Sequence, residues 1–248
     1  MEKIVVYTGA FGENYGLIPQ KKVKGIDFFC FTDDPNKIKS PWKPIELIKD
    51  DDDEGRKNRH PKILPHLYFK DYDISIYIDN NFLIIGDIYK LLNELKGFKM
   101  AIFDHNQCDD KRDCIYDEFD ALLKLGRERG KYKDAPEIMQ KQIDFLKKEN
   151  YPKNNGLISA GVLIRKHNDK EVIKVMEDWW QILSTMSKRD QLSFDYVAWK
   201  NNFKPTIIPG DLRRGNPYFY FLSMAQKNYT KKLLKYKIKK FLGIKKHP

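Results

Sequence analysis

One stretch, Ile74–Leu92 (I-S-I-Y-I-D-N-N-F-L-I-I-G-D-I-Y-K-L-L), constrains the fold of this chain more than any other. Ile74 to Ile78 is an apolar run of the kind that forms a buried strand. It stops at Asp79, Asn80 and Asn81. Apolar residues then resume, and Gly86-Asp87 opens a short helix ending near Glu94. A buried strand of this kind belongs inside an α/β sheet. Its end puts a carboxylate and two amides at the sheet's carboxyl edge, where open α/β sheets bind ligands. Asp79 with Asn81 offers hard oxygen ligands to a divalent cation, Mn²⁺ or Mg²⁺, that would reach a diphosphate. A polar turn that merely ends a strand explains the same three residues.

Composition matters here for what it excludes. The 248 residues suffice for one large α/β domain, and 41% hydrophobic with 13% aromatic residues can fill its core. No run approaches the roughly 18 apolar residues of a membrane span. Met1 to Val6 enters a strand-like segment without the features of a signal peptide. Cys30, Cys108 and Cys114 are odd in number and lack metal-site spacing. A reduced, cytoplasmic compartment is therefore expected.

The net charge of +11 belongs to one end: residues 212–248 hold Arg213, Arg214, nine lysines and no acid, and residues 1–211 balance. A neutral body lacks the basic groove that nucleic-acid binding requires. Leu234, Ile238, Phe241 and Leu242 fall at i, i+4, i+7 and i+8 among the lysines. That pattern is a basic amphipathic helix suited to an anionic membrane surface, although a frayed lysine-rich end has the same composition. The expected division is a body over 1–211 and a basic helical tail over 212–248, with the protein peripheral on the inner face of the membrane.

Further strands are predicted over Lys3–Thr8, Asp27–Thr32, Trp42–Ile48, Lys99–Phe103, Gly156–Arg165 and Lys204–Ile208. Gly9 to Gly16 forms a glycine-bearing loop able to approach a ligand, and the acidic run Asp50–Glu54 forms a solvated one. Arg56, Arg59 and Lys62 recur every three positions. On a helix they share one face, able to bind phosphate or carboxylate or simply to face water, and Pro65 would break or kink that helix. Helices over 109–150 form an insertion of about 40 residues, a wall for a second substrate, with Pro136 in a first turn. Small residues Ser159, Ala160 and Gly161 interrupt a bulky strand, which signals close approach by ligand or backbone. Asn168 is expected to cap a helix that buries Val172, Val175, Met176, Trp179 and Leu183. Ser187 to Leu192 opens another.

Four pieces now stand in order: Y-T-G-A-F-G-x-x-Y from Tyr7, Y-I-D-N-N-F-L-I-I-G-D-I at 77–88, S-A-G-V-L-I-R at 159–165 and R-D-Q-L-S-F at 189–194. With F-T-D at 31–33, R-x-x-R-x-x-K at 56–62, His66 and C-I-Y-D-E at 114–118, the set resembles the GT-A-fold glycosyltransferases over residues 3–205. In pattern it is most similar to a family of bacterial polysaccharide loci and plant Golgi proteins, long classed as a domain of unknown function, near glycosyltransferase family 8.

The resemblance implies a single α/β, GT-A-like (Rossmann-like) domain with a mixed central sheet and a helical insertion. It also implies a nucleotide-sugar donor, commonly a UDP-sugar. Asp79 and Asn81 stand where the D-x-D metal motif would be, with Asn81 supplying a neutral carbonyl in the third place. Thr8 and Asp33 would sit near the nucleotide, and Ser159 to Gly161 against the donor sugar. Asp190 and Gln191 would contact the sugar at the reacting centre. Arg56, Arg59 and Lys62 offer charge for the diphosphate. The acceptor side is assigned to His105 and Glu118, and Asp190 or Glu118 would serve as base in an inverting reaction. His167 is the nearby candidate for a late metal-binding histidine.

The expected function is transfer of a sugar to a hydroxyl of a glycan or lipid-linked acceptor in surface polysaccharide synthesis. The alternative is a non-catalytic nucleotide- or glycan-binding module with a degenerate metal site.

Overall fold

In a computed structural model, which describes residues 2–12, 16–47, 53–222 and 229–243, the apolar runs become the strands of one sheet. In chain order the elements are β1 (Ile4–Ala10), β2 (Ile26–Thr32), β3 (Lys43–Glu46), α1 (Glu54–Ile63), β4 (Ile74–Ile78), β5 (Phe82–Ile84), α2 (Ile88–Glu94) and β6 (Met100–Asp104). They continue with α3 (Ile115–Arg129), α4 (Pro136–Lys148), β7 (Ile158–Arg165), α5 (Lys170–Thr185), α6 (Phe194–Lys200), β8 (Thr206–Ile208), β9 (Phe219–Phe221) and α7 (Tyr229–Phe241). The main sheet has the order β3-β2-β1-β4-β7-β6-β8. Strands β1 to β4 are mutually parallel where they pair, β7 runs antiparallel to both β4 and β6, and β8 is parallel to β6.

Strand alternation sorts the core into two layers. Val5, Tyr7, Tyr77, Ile102 and Leu163 face Trp179, Leu183, Ile143 and Phe119 of the long helices. Ile4, Val6, Ile74, Ile76, Ile78 and Val162 face Ile88 and Leu91 of α2 and Phe219 of β9. The expected face of α5 is wholly buried, and Pro136 occupies the first turn of α4.

Several expectations are corrected. Asp169, not Asn168, caps α5 by accepting from the Glu171 and Val172 amides. The Asn168 amide donates instead to the Lys70 and Tyr72 carbonyls. The segment opened by Ser187 gives only a short 3-10 turn, Asp190–Leu192, before α6. As expected of Pro65, helix α1 ends before it, although it runs through Pro61. The residues after Asn81 form β5, which pairs antiparallel with β9. Beyond Asp211, Leu212, Tyr218, Phe219 and Leu222 are buried. Residues 13–15 of the glycine-bearing loop, Ile48 and the acidic run at 50–52 lie outside the described residues.

Candidate active site

The site begins with a parity. Tyr77 and Asp79 are two residues apart, so the pleat sends both side chains to the face that carries α1. There the Tyr77 hydroxyl donates to Asp79 Oδ1 at 2.9 Å, and the Lys62 ammonium lies 3.6 Å from the same oxygen and 4.9 Å from the Tyr77 ring centre. The helical spacing of three brings Arg59 beside Lys62. Both reach Asp190: Arg59 Nε donates to Oδ1 at 2.6 Å and Lys62 Nζ to Oδ2 at 2.5 Å. Lys62 thus joins two carboxylates that are far apart in sequence. Burial opposes the charge on Asp190, but Arg59, Lys62 and the nearby Arg189 outweigh it and hold the carboxyl far below the usual range. Burial likewise opposes the charge of Arg59, and Asp190 more than restores it.

A second layer fixes this group. The last carbonyls of a helix lack intrahelical partners. In α1 the Lys62 carbonyl accepts from the Tyr7 hydroxyl at 3.1 Å, and the Ile63 carbonyl from Arg165 at 3.4 Å. Arg165 is fully buried and also donates to Tyr7 Oη at 2.5 Å. The loop carrying Asp190 is held from the insertion. Gln142 of α4 donates to the Leu192 carbonyl at 2.6 Å and accepts from the Ser187 amide at 3.1 Å, while Asp134 accepts from Ser187 Oγ at 2.7 Å. Gln191 donates to the Ile158 carbonyl at 3.1 Å, which ties the loop to β7.

The other expected site residues lie as follows. Arg56 does not join Arg59 and Lys62: its guanidinium caps the end of α5 on the Ser184 and Met186 carbonyls. Asp33 accepts from the Gly12 amide at 2.9 Å and so closes the first loop. Thr8 is buried, and alternation sends it to the face opposite Tyr7. Asn81 is buried, and its carbonyl accepts from Leu222 at 3.0 Å. Ser159 and Gly161 belong to a bulge, since Leu163 lies opposite Ile102 but Ser159 opposite Phe103. A methyl on Gly161 would come within 2.9 Å of Phe82 and 3.0 Å of Leu212, so the close approach there is made by side chains of the protein itself. His105 and Glu118 are both buried and share Arg112, at 3.2 Å from His105 Nε2 and 2.9 Å from Glu118 Oε2.

Neither candidate cation seat fits a hard divalent ion. At Asp79–Asn81 one carboxylate and one amide are offered, and a buried ammonium already stands at that carboxylate. Among the described residues His105, Cys108 and Asp110 bring potential ligand atoms within 4.8 Å of one another. Arg112 fills that cluster, with its guanidinium 2.9 Å from Asp110 as well as beside His105. A thiol is also a soft ligand, whereas Mn²⁺ and Mg²⁺ favour carboxylate, carbonyl and water oxygens. His167 Nε2 donates to the Phe69 carbonyl, 2.8 Å away. It follows Arg165, which pairs with Ser75 at the opposite end of β4 from Asp79, so it cannot complete a site there.

Beside the Asp190 loop a cleft of 380 Å³ opens between β6, β8 and α6. Asp104, Asp195, Asn155, Asn202 and Lys204 supply its polar groups and Trp199, 39% exposed, an aromatic wall. Sequence reading missed this cleft because its residues come from four separate segments. It also missed Arg165, although a charged residue closing an apolar strand is a visible signal.

Residues 31–209 match the TOD1/MUCI70 glycosyltransferase-like domain. The chain is 26% identical over 190 residues to the probable hexosyltransferase MUCI70 of Arabidopsis thaliana, covering 71% of this chain and 31% of that protein. It therefore spans about a third of the length of that curated relative. Loose structural overlaps occur with the WbbM bifunctional glycosyltransferase (TM-score 0.45, 10% identity, 84% of this chain and 38% of that one). They occur also with mouse xyloside xylosyltransferase 1 (TM-score 0.40, 10% identity, 84% of each chain). With a mixed α/β sheet, carboxylates gathered at its carboxyl edge and a profile match over most of its length, the chain belongs to the TOD1/MUCI70 glycosyltransferase-like family.

Proposed function

We propose that this protein transfers a hexosyl group from a nucleoside diphosphate sugar, a UDP-sugar in the first instance, to a hydroxyl of a glycan or lipid-linked glycan. The observation that carries this reading is the bridge Asp79–Lys62–Asp190 with Arg59, at the carboxyl edge of the sheet. In the transfer, the bond from the sugar's anomeric carbon to the diphosphate oxygen breaks and a bond to the acceptor oxygen forms. Arg59, Lys62 and Arg189 place positive charge where the leaving diphosphate gains negative charge. Asp190 stays ionised and opposes the positive charge that develops on the sugar ring. A carboxylate held so far down is a weak base, so the acceptor's proton goes to the leaving diphosphate oxygen, as in a retaining reaction of the family 8 kind. No step is assigned to a metal.

The acceptor sugar would lie in the cleft of Asp104, Asp195 and Trp199, stacked on the indole and hydrogen-bonded by the carboxylates. The catalytic unit would extend to Leu222. Helix α7 would rest on an anionic membrane surface at the cytoplasmic face, its exposed Leu234, Ile238, Phe241 and Leu242 set among lysines. Among the described residues no helix is long and apolar enough to cross a membrane.

The test is nucleotide release from a panel of nucleotide sugars, with Mn²⁺ and with a chelator. At least one donor should release nucleotide, and release should survive chelation. Asp190→Asn should abolish it. Removing one partner of a buried ion pair costs about 3–5 kcal/mol, so that variant is read beside its melting curve. Asp79→Asn, at a carboxylate 41% exposed, supplies a second variant with little risk to the fold. The full pairing of Asp190 also suits a binding module. Thermal stabilisation by a nucleotide sugar without release would select that reading, and no binding of any donor would end both.

A further inference from the structure

Five cations surround a cleft of 360 Å³ between α7 and the segment 213–221: Arg213, Arg214, Lys232, Lys235 and Lys239. Tyr236 of α7 is buried against Tyr220 of β9, the ring centres 4.9 Å apart, and this contact docks the helix. Lys232 Nζ donates to the Leu222 carbonyl at 3.2 Å beside it. No acid lines the cleft. Among the described residues Arg214 pairs with Asp109, whereas Arg213, Lys232, Lys235 and Lys239 make no ion pair. Like charges gathered around one cavity repel one another, and an anion entering it relieves that repulsion. Guanidinium and ammonium groups together suit the tetrahedral oxygens of phosphate.

Position narrows the ligand further. The wall strand β9 pairs with β5, which leaves the Asp79–Asn81 turn directly, and the Leu222 amide donates to the Asn81 carbonyl at 3.0 Å. The cleft therefore adjoins the transfer site without using Arg59, Lys62 or Asp190. On the other side of α7, Leu234, Ile238, Phe241 and Leu242 are 49–91% exposed. One helix thus turns lysines to the cleft and an apolar stripe outward.

We propose that this cleft binds the phosphate or diphosphate head of a lipid-borne acceptor, whose hydrocarbon chain leaves along the apolar stripe of α7. The acceptor role rests on the transfer reading, but the anion site stands without it. Inorganic pyrophosphate, titrated calorimetrically into the full chain, should bind. Arg213→Ala/Lys239→Ala should weaken it by about tenfold or more, a loss of about 1.4 kcal/mol. Lys231→Ala/Lys237→Ala removes the same charge from exposed positions of α7 outside the cleft and should leave that affinity nearly intact. In sedimentation, phosphatidylcholine vesicles carrying farnesyl diphosphate should retain more protein than vesicles of equal charge carrying phosphatidylserine, and the cleft variant should lose that preference. Equal loss in both variants would reduce the site to general charge attraction. A matching loss of UDP affinity would make it part of the donor site, and indifference between the two lipids would remove the lipid-borne ligand. No turnover is read in any of these measurements, so failure of the transfer reading and failure of the site give different results.

Discussion

Arg59 and Lys62 share a helical face by spacing alone, yet what they do was decided by Asp190, 128 residues beyond Lys62. The Arg56 of the same run went elsewhere because the end of α5 offered it unpaired carbonyls. Asp195 is an acid held far from its ordinary state. Burial pushes its carboxyl up to about 7 against the pull of the Ile158 amide, and the Asp104 carboxylate pushes the same way. The folded protein then holds a proton that the unfolded chain has lost above its own value of about 3.9, so Asp195 lowers stability as pH rises from about 4 to 7. His66, His105 and His167 are depressed by burial and work in the opposite direction over part of that range. The difference between wild type and Asp195→Asn isolates the carboxyl. The variant's melting temperature, relative to wild type, should rise between pH 5 and pH 8. An unchanged difference would mean that Asp195 ionises like a solvent-exposed acid.

At the scale of elements, most of the architecture was legible. The apolar runs became strands, Pro136 opened α4, and the apolar face of α5 was buried as its spacing required. Two of the three-residue strands were not legible: β5 and β9 have too little sequence to show a period, and their pairing is fixed only by contact with each other. The bulge in β7 was half legible. Its small residues marked a close approach, but the approaching groups, Phe82 and Leu212, come from elements that flank it in space rather than in sequence. Gly161→Ala drives a methyl into both and should cost about 1–3 kcal/mol by overpacking, seen as a lowered midpoint in urea with an unchanged slope. A neutral result would show that β7 shifts to make room. The insertion, expected as a wall, is seen to hold the loop that carries Asp190, through Gln142 and Asp134.

For the whole molecule, the segregation of charge is the dominant feature. The body is neutral and the excess sits in residues 212–248, much of it on α7 and around the cleft that α7 closes. If the outer stripe of α7 meets lipid, Ile238→Glu/Phe241→Glu should abolish sedimentation with anionic vesicles. These side chains are 49% and 91% exposed, so the melting temperature should stay within about a degree of wild type, since surface changes move stability by about 0.5 kcal/mol or less. Retained sedimentation would assign membrane attraction to the lysines alone.

Sequence by itself determined the strands of the main sheet, the long helices, the balance of charge and the glycosyltransferase-like family, because each is written in local spacing or in short ordered motifs. It also marked Asp79, Arg59, Lys62 and Asp190 as polar groups at the ends of elements. Only the tertiary structure decided that Lys62 stands between the two carboxylates, that Arg165 and Tyr7 hold the end of α1 beneath it, and that Arg112 fills the cluster at His105. The physical reason is common to all three. Burial makes an unpaired charge costly, so each buried charge is matched to whichever partners the fold brings within about 3 Å, and local sequence carries no record of that distance.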